Sequence, residues 1–252
     1  EVGQNLFDHP KIAVEFGRTK TSNVFDAMRM DRLFLSFAQA WLLRTGMATD
    51  PLVAANLFAK SDPFLPPPDL QILMRLFNPR LKPRLPFRPS NESDSFGFLS
   101  CLLNPKSRGW VRLKAPHVHT PPAICSNFLQ AEEDVAALVR SIHIVRDIAA
   151  QPELADHSLG ETLPGKNIAE DDALVQFVRE TADTIFHPAG TCAMGAGTDG
   201  VVDVDLKVRQ VRGLRVADAS IMPLPVSGNT NAAVLMIAEK ASERILSAAQ
   251  SH

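Results

Sequence analysis

The segment HPAGTCAMG, residues 187–195, places a titratable imidazole in a stiff turn. Pro188 restrains His187 to extended backbone conformations, and Gly190 permits another part of the chain to approach closely. An imidazole with an ordinary pKa of about 6.5 accepts a proton near neutral pH, and a fixed base works better than a mobile one. These residue types therefore allow general-base chemistry at His187. For an isolated His-Pro pair, the alternative is a loop histidine bonded to a backbone carbonyl.

The spacing of apolar residues predicts the elements that must position this turn. Helical periodicity predicts helices over 32–48, 131–149 and 230–248. Asn167 followed by Glu170 resembles a capping box and predicts a helix over 168–182. Short apolar or valine-rich runs predict strands at 12–17, at 97–103 and 109–114 around one turn, and within 201–211 and 213–220. Early strands, a helical middle and a strand–helix finish predict an α+β or mixed α/β fold.

Composition limits the class of protein. The 252 residues are 45% hydrophobic and 21% charged, which is typical of a globular protein, and the net charge of -2 argues against a nucleic-acid binder. No apolar run reaches the roughly 18–20 residues of a membrane span, and we expect LFLSFAQAWLL at 33–43 to form a buried helix. The three cysteines lack CxxC spacing, so we predict no metal site and free thiols in a reducing compartment such as the cytoplasm.

Several segments together resemble one known family. HPAGTCAMG, VVD, GLRVADASIMP and SGNTNAAVLMIAEKASERI are similar, in order and spacing, to the C-terminal signature of the glucose–methanol–choline (GMC) family of FAD-dependent oxidoreductases. EVGQNLFDHP resembles that family's passage from the FAD domain to the substrate domain, and NPKSRGWVRL resembles its P-x-S-R-G turn. The resemblance implies the end of an FAD-domain segment at 1–10, a substrate domain with an antiparallel sheet at 11–183, and the C-terminal part of the FAD-binding domain at 184–252.

The resemblance also implies a partner. Family members carry a GxGxxG fingerprint near their N-terminus that holds the FAD pyrophosphate, whereas here no such motif opens a βαβ unit. We therefore expect this chain to be a C-terminal half, with the N-terminal FAD-binding half present as a separate chain or a missing segment.

For chemistry, the resemblance implies FAD-dependent oxidation of a primary or secondary alcohol to a carbonyl, by hydride transfer to flavin N5 with His187 as base. The family's second catalytic position, a histidine or an asparagine, falls at Asn229, eleven residues before Lys240. An amide there cannot act as a base, but it can orient the substrate hydroxyl. The alternative for Asn229 is a helix N-cap, which is compatible with that role.

The cofactor residues follow from the same resemblance. Backbone amides near Thr230 and Asn231, at a helix N-terminus, are expected to face the negative N1–C2=O edge of reduced flavin. Asp218 and Ala219 match a segment that contacts FAD, and the alternative for Asp218 is a turn residue at the end of a strand. Two other functions stay open: a hydroxynitrile lyase on the same fold, and a non-catalytic half-chain that acts as a scaffold.

Overall fold

The computed structural model describes residues 2–50, 53–77, 81–87, 93–196 and 200–250, with only the backbone at 249 and 250. The chain forms two compact units. The first unit comprises Glu1–Lys11, Cys101–Ala136 and Ala182–His252, and the second unit comprises Ile12–Ser100 and Ala137–Thr181.

The described residues contain eight strands and six α-helices. The strands are β1 (Pro10–Arg18), β2 (Val53–Ala59), β3 (Leu70–Arg75), β4 (Ser95–Leu102), β5 (Trp110–Arg112), β6 (Ala123–Cys125), β7 (Ser158–Leu163) and β8 (Asp183–Thr184). The helices are α1 (Asn23–Ala27), α2 (Met30–Leu43), α3 (Glu132–Ala149), α4 (Pro152–Ala155), α5 (Asp171–Thr181) and α6 (Asn231–Gln250), with 3-10 turns at Met47–Thr49 and Ala219–Ile221. The mixed α/β prediction is confirmed.

A sheet with the strand order β2-β3-β4-β1-β7 organises the second unit. The β2–β3 and β1–β7 pairs are antiparallel. Phe16 stacks on Phe96 with ring centroids 5.4 Å apart, and Phe98 meets both rings edge-on. The strand predicted at 12–17 lies within β1, and the amphipathic helix predicted at 131–149 is α3.

The first unit is built around the N-terminal segment. Leu6 bridges Gly109, Phe7 bridges Ala189, and the first residues of β1 pair with β8. Phe7 also belongs to a buried apolar cluster whose other members are Ala189, Val201, Val202, Leu206, Ile221, Met222, Ile237 and Ala241. Burying that apolar area draws the N-terminal segment, the 187–195 turn and α6 together.

The strands predicted at 97–103 and 109–114 are confirmed as β4 and β5, but the prediction that they form one two-strand unit is wrong. β4 joins the large sheet, whereas β5 pairs with β6. The turn between them is held by the buried carboxylate of Asp134, which accepts hydrogen bonds from the N–H groups of Lys106 and Ser107 at 2.8 Å each. The carboxylate therefore fixes the turn between two strands that belong to different sheets.

The strands predicted within 201–211 and 213–220 are also wrong. These residues form turns with isolated bridges, such as Val202 to Val208 and Lys207 to Arg215. The carboxylate of Asp203 accepts from the N–H groups of Asp205 and Lys207, both at 2.9 Å, and so fixes a turn in the middle of the valine-rich run.

The helix predicted to be buried at 33–43 is exposed. α2 has no buried residue, and its Trp41 is 82% exposed. Helical periodicity identifies an apolar face, but it does not say what covers that face. Among the described helices, none combines the length and the apolar character needed to cross a lipid bilayer. The helix predicted at 168–182 is shorter than expected, since α5 begins at Asp171.

Candidate active site

His187 lies in the turn after β8, and Asp8 fixes its backbone. Asp8 is buried, and its Oδ1 accepts the N–H of His187 at 3.0 Å. Its Oδ2 accepts the hydroxyl of Thr184, whose oxygen in turn accepts the N–H of Phe186 at 2.7 Å. These bonds hold Phe186 at φ 66°, a left-handed conformation that is strained for a residue with a side chain. The shape of the turn is therefore set by the buried carboxylate.

Gly190 makes room for the N-terminal segment beside this turn. Its φ is +91°, and a Cβ there would lie 2.3 Å from the carbonyl oxygen of Asn5 and 2.5 Å from the ring of Phe7. The amide of Asn5 donates to the carbonyl of Gly190 at 3.4 Å and to that of Pro223 at 3.2 Å. The close approach predicted at Gly190 is confirmed, and the segment that approaches is 5–7.

The turn also runs beside the segment that contains Asp218 and Ala219. The N–H groups of Gly190, Cys192 and Met194 donate to the carbonyls of Ala219, Ser220 and Ile221, at 3.3, 2.8 and 2.8 Å. Asp218 caps the 3-10 turn Ala219–Ile221 by accepting from the N–H of Ser220 at 2.8 Å. A capping role for Asp218 is therefore observed, and contact of Asp218 and Ala219 with FAD stays a prediction.

The N-terminus of α6 carries the other predicted residues. The carbonyl of Thr230 accepts from the N–H of Val234 at 2.9 Å, which makes Thr230 the N-cap residue and places Asn229 one position outside the helix. Asn229 and Asn231 are exposed. The first-turn N–H groups of a helix have no intrahelical partner and favour negative charge. This donor set fits the negatively charged edge of a reduced flavin.

His9, like Asp8, is a residue of the candidate site that the sequence analysis missed. It is 2% exposed, and its Nδ1 lies 3.0 Å from Nδ1 of His187, with the two rings nearly perpendicular at 88°. Pairing of Pro10 with Thr184 and of Lys11 with Asp183 carries His9 to this place. A sequence signal for His9 was present in EVGQNLFDHP. His9 is followed by a proline, as His187 is, and an acid precedes it.

Both imidazoles are biased toward the neutral form. Burial lowers the pKa of His187 below its ordinary value of 6.5, although the charge of Asp8 opposes the shift. Burial lowers the pKa of His9 most, and the charge of His187 lowers it further. The charge of Asp8 and the backbone of Val226 and Leu103 oppose this shift but do not cancel it. His187 is thus ready to accept a proton near neutral pH.

All six predicted site residues lie in the first unit. His187 contacts Asp8 and His9 directly, and the 218–221 segment is bonded to its turn. Joint action of His187 and Asn229 on one substrate stays a prediction. Within the described ranges, no three His, Cys, Asp or Glu side chains are grouped to hold a metal ion.

Comparison with known proteins identifies relatives over nearly the whole chain. The family model described as GMC oxidoreductase matches residues 105–238. The chain is 36% identical over 249 residues to alcohol dehydrogenase (acceptor) of Pseudomonas putida, covering 98% of this chain and 44% of that protein. It is 34% identical to oxygen-dependent choline dehydrogenase of Proteus mirabilis, covering 97% and 43%.

A solved structure of a mutant of formate oxidase from Aspergillus oryzae, an FAD-containing protein, matches with a TM-score of 0.86 at 23% identity. The match covers 99% of this chain and 48% of that one, which supports the fold. The chain therefore spans less than half the length of these relatives.

Proposed function

Because this chain belongs to the GMC oxidoreductase family, we propose that it forms part of an FAD-dependent enzyme that oxidises a primary or secondary alcohol to a carbonyl compound. The observation that carries the proposal is the imidazole of His187, which is biased toward its neutral form and fixed by Asp8 and His9 within the family's C-terminal signature. FAD is the cofactor of structural relatives, and the curated relatives named above are an alcohol and a choline dehydrogenase.

In this proposal His187 takes the hydroxyl proton of the alcohol. Its Nδ1 faces His9, so Nε2 is the ring nitrogen left for the substrate. The amide of Asn229 hydrogen-bonds the substrate oxygen and orients it. When bound, FAD supplies the hydride acceptor at N5. The alcohol gives up one proton to His187 and one hydride from its carbon, and is oxidised by two electrons to the carbonyl.

Thr230 and Asn231 at the start of α6, together with Asp218 and Ala219, are the residues of this chain that we propose to hold FAD. The first-turn amides of α6 support the proposal because they stabilise negative charge without reorganisation during the reaction. The substrate domain at 11–183, the FAD-binding parts at 1–10 and 184–252, and an N-terminal FAD-binding half as partner belong to the same proposal.

Anaerobic mixing of the holoprotein with a panel of small alcohols tests this function. We expect at least one primary or secondary alcohol to bleach the flavin absorbance and to yield its carbonyl product. A flavin that stays oxidised while cyanohydrins are cleaved would instead support the hydroxynitrile lyase. A protein that binds no flavin would support the scaffold.

The pH dependence of flavin reduction is expected to have its acid limb below pH 6.5. His187 accepts a proton only when neutral, and its folded-state pKa lies below 6.5 because of burial. The rate should therefore be constant above that pKa and fall as pH drops through it. Asp8→Asn removes the charge that opposes the shift but keeps an oxygen for the His187 N–H, so it should move the limb to lower pH. Rapid-mixing measurements between about pH 5 and 8 check this, and a wild-type limb above 6.5 contradicts it.

A further inference from the structure

We propose that His9 is a positioning residue for the base: its Nδ1 accepts a hydrogen bond from Nδ1–H of His187 and so keeps Nε2 of His187 free for the substrate proton. The inference rests on the proposed function of His187. The two Nδ1 atoms are 3.0 Å apart, so one of them carries the shared hydrogen and the other accepts it. The direction is decisive, because a His187 that accepted at Nδ1 would carry its own hydrogen on Nε2 and be unable to act as base there.

The base role proposed for His187 sets this direction. A neutral His187 that takes the substrate proton at Nε2 carries its own hydrogen on Nδ1, and the atom 3.0 Å from that Nδ1 is Nδ1 of His9. His9 therefore accepts at the shared contact. When neutral, His9 then carries its own hydrogen on Nε2, which is buried and has no hydrogen-bond partner among the described residues.

The bond strengthens as the reaction proceeds. When His187 takes the substrate proton it becomes an imidazolium, and a hydrogen bond from a charged donor is shorter and stronger than one from a neutral donor. His9 stays neutral at that moment because burial and the new charge on His187 both lower its pKa. An interaction that is stronger in the transition state than in the ground state raises the rate of the chemical step. Packing alone would have no such effect.

Histidine tautomers in the holoenzyme provide a direct test. With nitrogen-15 histidine and long-range proton–nitrogen NMR at about pH 8, above the ordinary imidazole pKa, we expect His187 to show a protonated Nδ1 and a bare Nε2. The signals of His187 are assigned by their loss in His187→Gln. A wild-type His187 with its hydrogen on Nε2 overturns the inference, whether or not any variant folds.

Two substitutions at His9 separate the hydrogen bond from packing. In His9→Asn the amide oxygen replaces Nδ1 as acceptor, whereas His9→Leu fills similar space without one. We expect His9→Leu to slow flavin reduction by about tenfold, the worth of one hydrogen bond, with little change in the dissociation constant of the alcohol. His9→Asn should recover most of the rate and the wild-type tautomer. His143→Leu, a histidine of the second unit paired with Asp171, is the control and should reduce its flavin normally.

The outcomes separate this inference from the proposed function. Equal rates for His9→Leu and wild type overturn the positioning role and leave alcohol oxidation standing. A wild-type flavin that no alcohol reduces overturns alcohol oxidation, while the tautomer measurement still decides whether His9 accepts from His187.

Discussion

His187→Ala is expected to slow flavin reduction by a substrate alcohol by about 100- to 10,000-fold, the usual contribution of a general base. Alanine cannot accept the hydroxyl proton, and Asn229, the other proposed catalytic residue, carries an amide that is not basic. FAD should stay bound, because the proposed cofactor residues lie at 218–219 and at the start of α6. Anaerobic rapid mixing gives the rate, and the absorbance of protein-bound flavin gives the FAD content.

His157→Ala is the control for that experiment. His157 is exposed in the second unit, so its loss should leave both the rate and the FAD content unchanged. Partial recovery of the His187→Ala rate by added imidazole would strengthen the assignment of the base. Near-normal flavin reduction in His187→Ala would remove His187 from the role.

Periodicity predicted the helices of this chain better than its strands. α3 and α6 follow their apolar stripes closely, since a helical stripe is a local pattern written over many residues. The valine-rich run after the 187–195 turn reads as strand, but Asp203 draws neighbouring N–H groups into a turn that β propensity does not register. The exposure of α2 could not be predicted from its apolar pattern either. Whether an apolar helix face is buried depends on which other element packs against it.

The residues of the candidate site also differ in whether the sequence predicted them. His187 was predicted because its turn is one of several ordered segments that together resemble the family's C-terminal signature, and the close approach at Gly190 was predicted because glycine lacks a Cβ. His9 was not predicted, since 178 positions separate it from His187 and only the pairing of β1 with β8 brings the two rings together. The carboxylate of Asp8 acts across a similar separation. Partners this distant are fixed by tertiary packing, which one sequence does not display.

Gly190→Ala is expected to destabilise the protein by about 2–5 kcal/mol, the sum of a left-handed backbone and an overpacked contact. Its Cβ would meet the backbone oxygen of Asn5 at 2.3 Å, and a backbone atom in a bridged segment does not rotate away. The ring of Phe7, also within 2.5 Å, is held in the buried apolar cluster. Chemical denaturation monitored by fluorescence and circular dichroism measures the loss.

Two other glycines separate the components of that cost. Gly213 has φ +77° with nothing within 4 Å of its Cβ position, so Gly213→Ala should cost about 1–2 kcal/mol from backbone strain alone. Gly228 has open space and no positive φ, so Gly228→Ala should stay within about 0.5 kcal/mol of wild type. If Gly190→Ala were as mild as Gly213→Ala, segment 5–7 would not be pressed against the turn. Asp8 and His9 follow directly on that segment. Their contacts with His187 therefore depend on the close approach of segment 5–7 to Gly190, which the larger cost of Gly190→Ala would reveal.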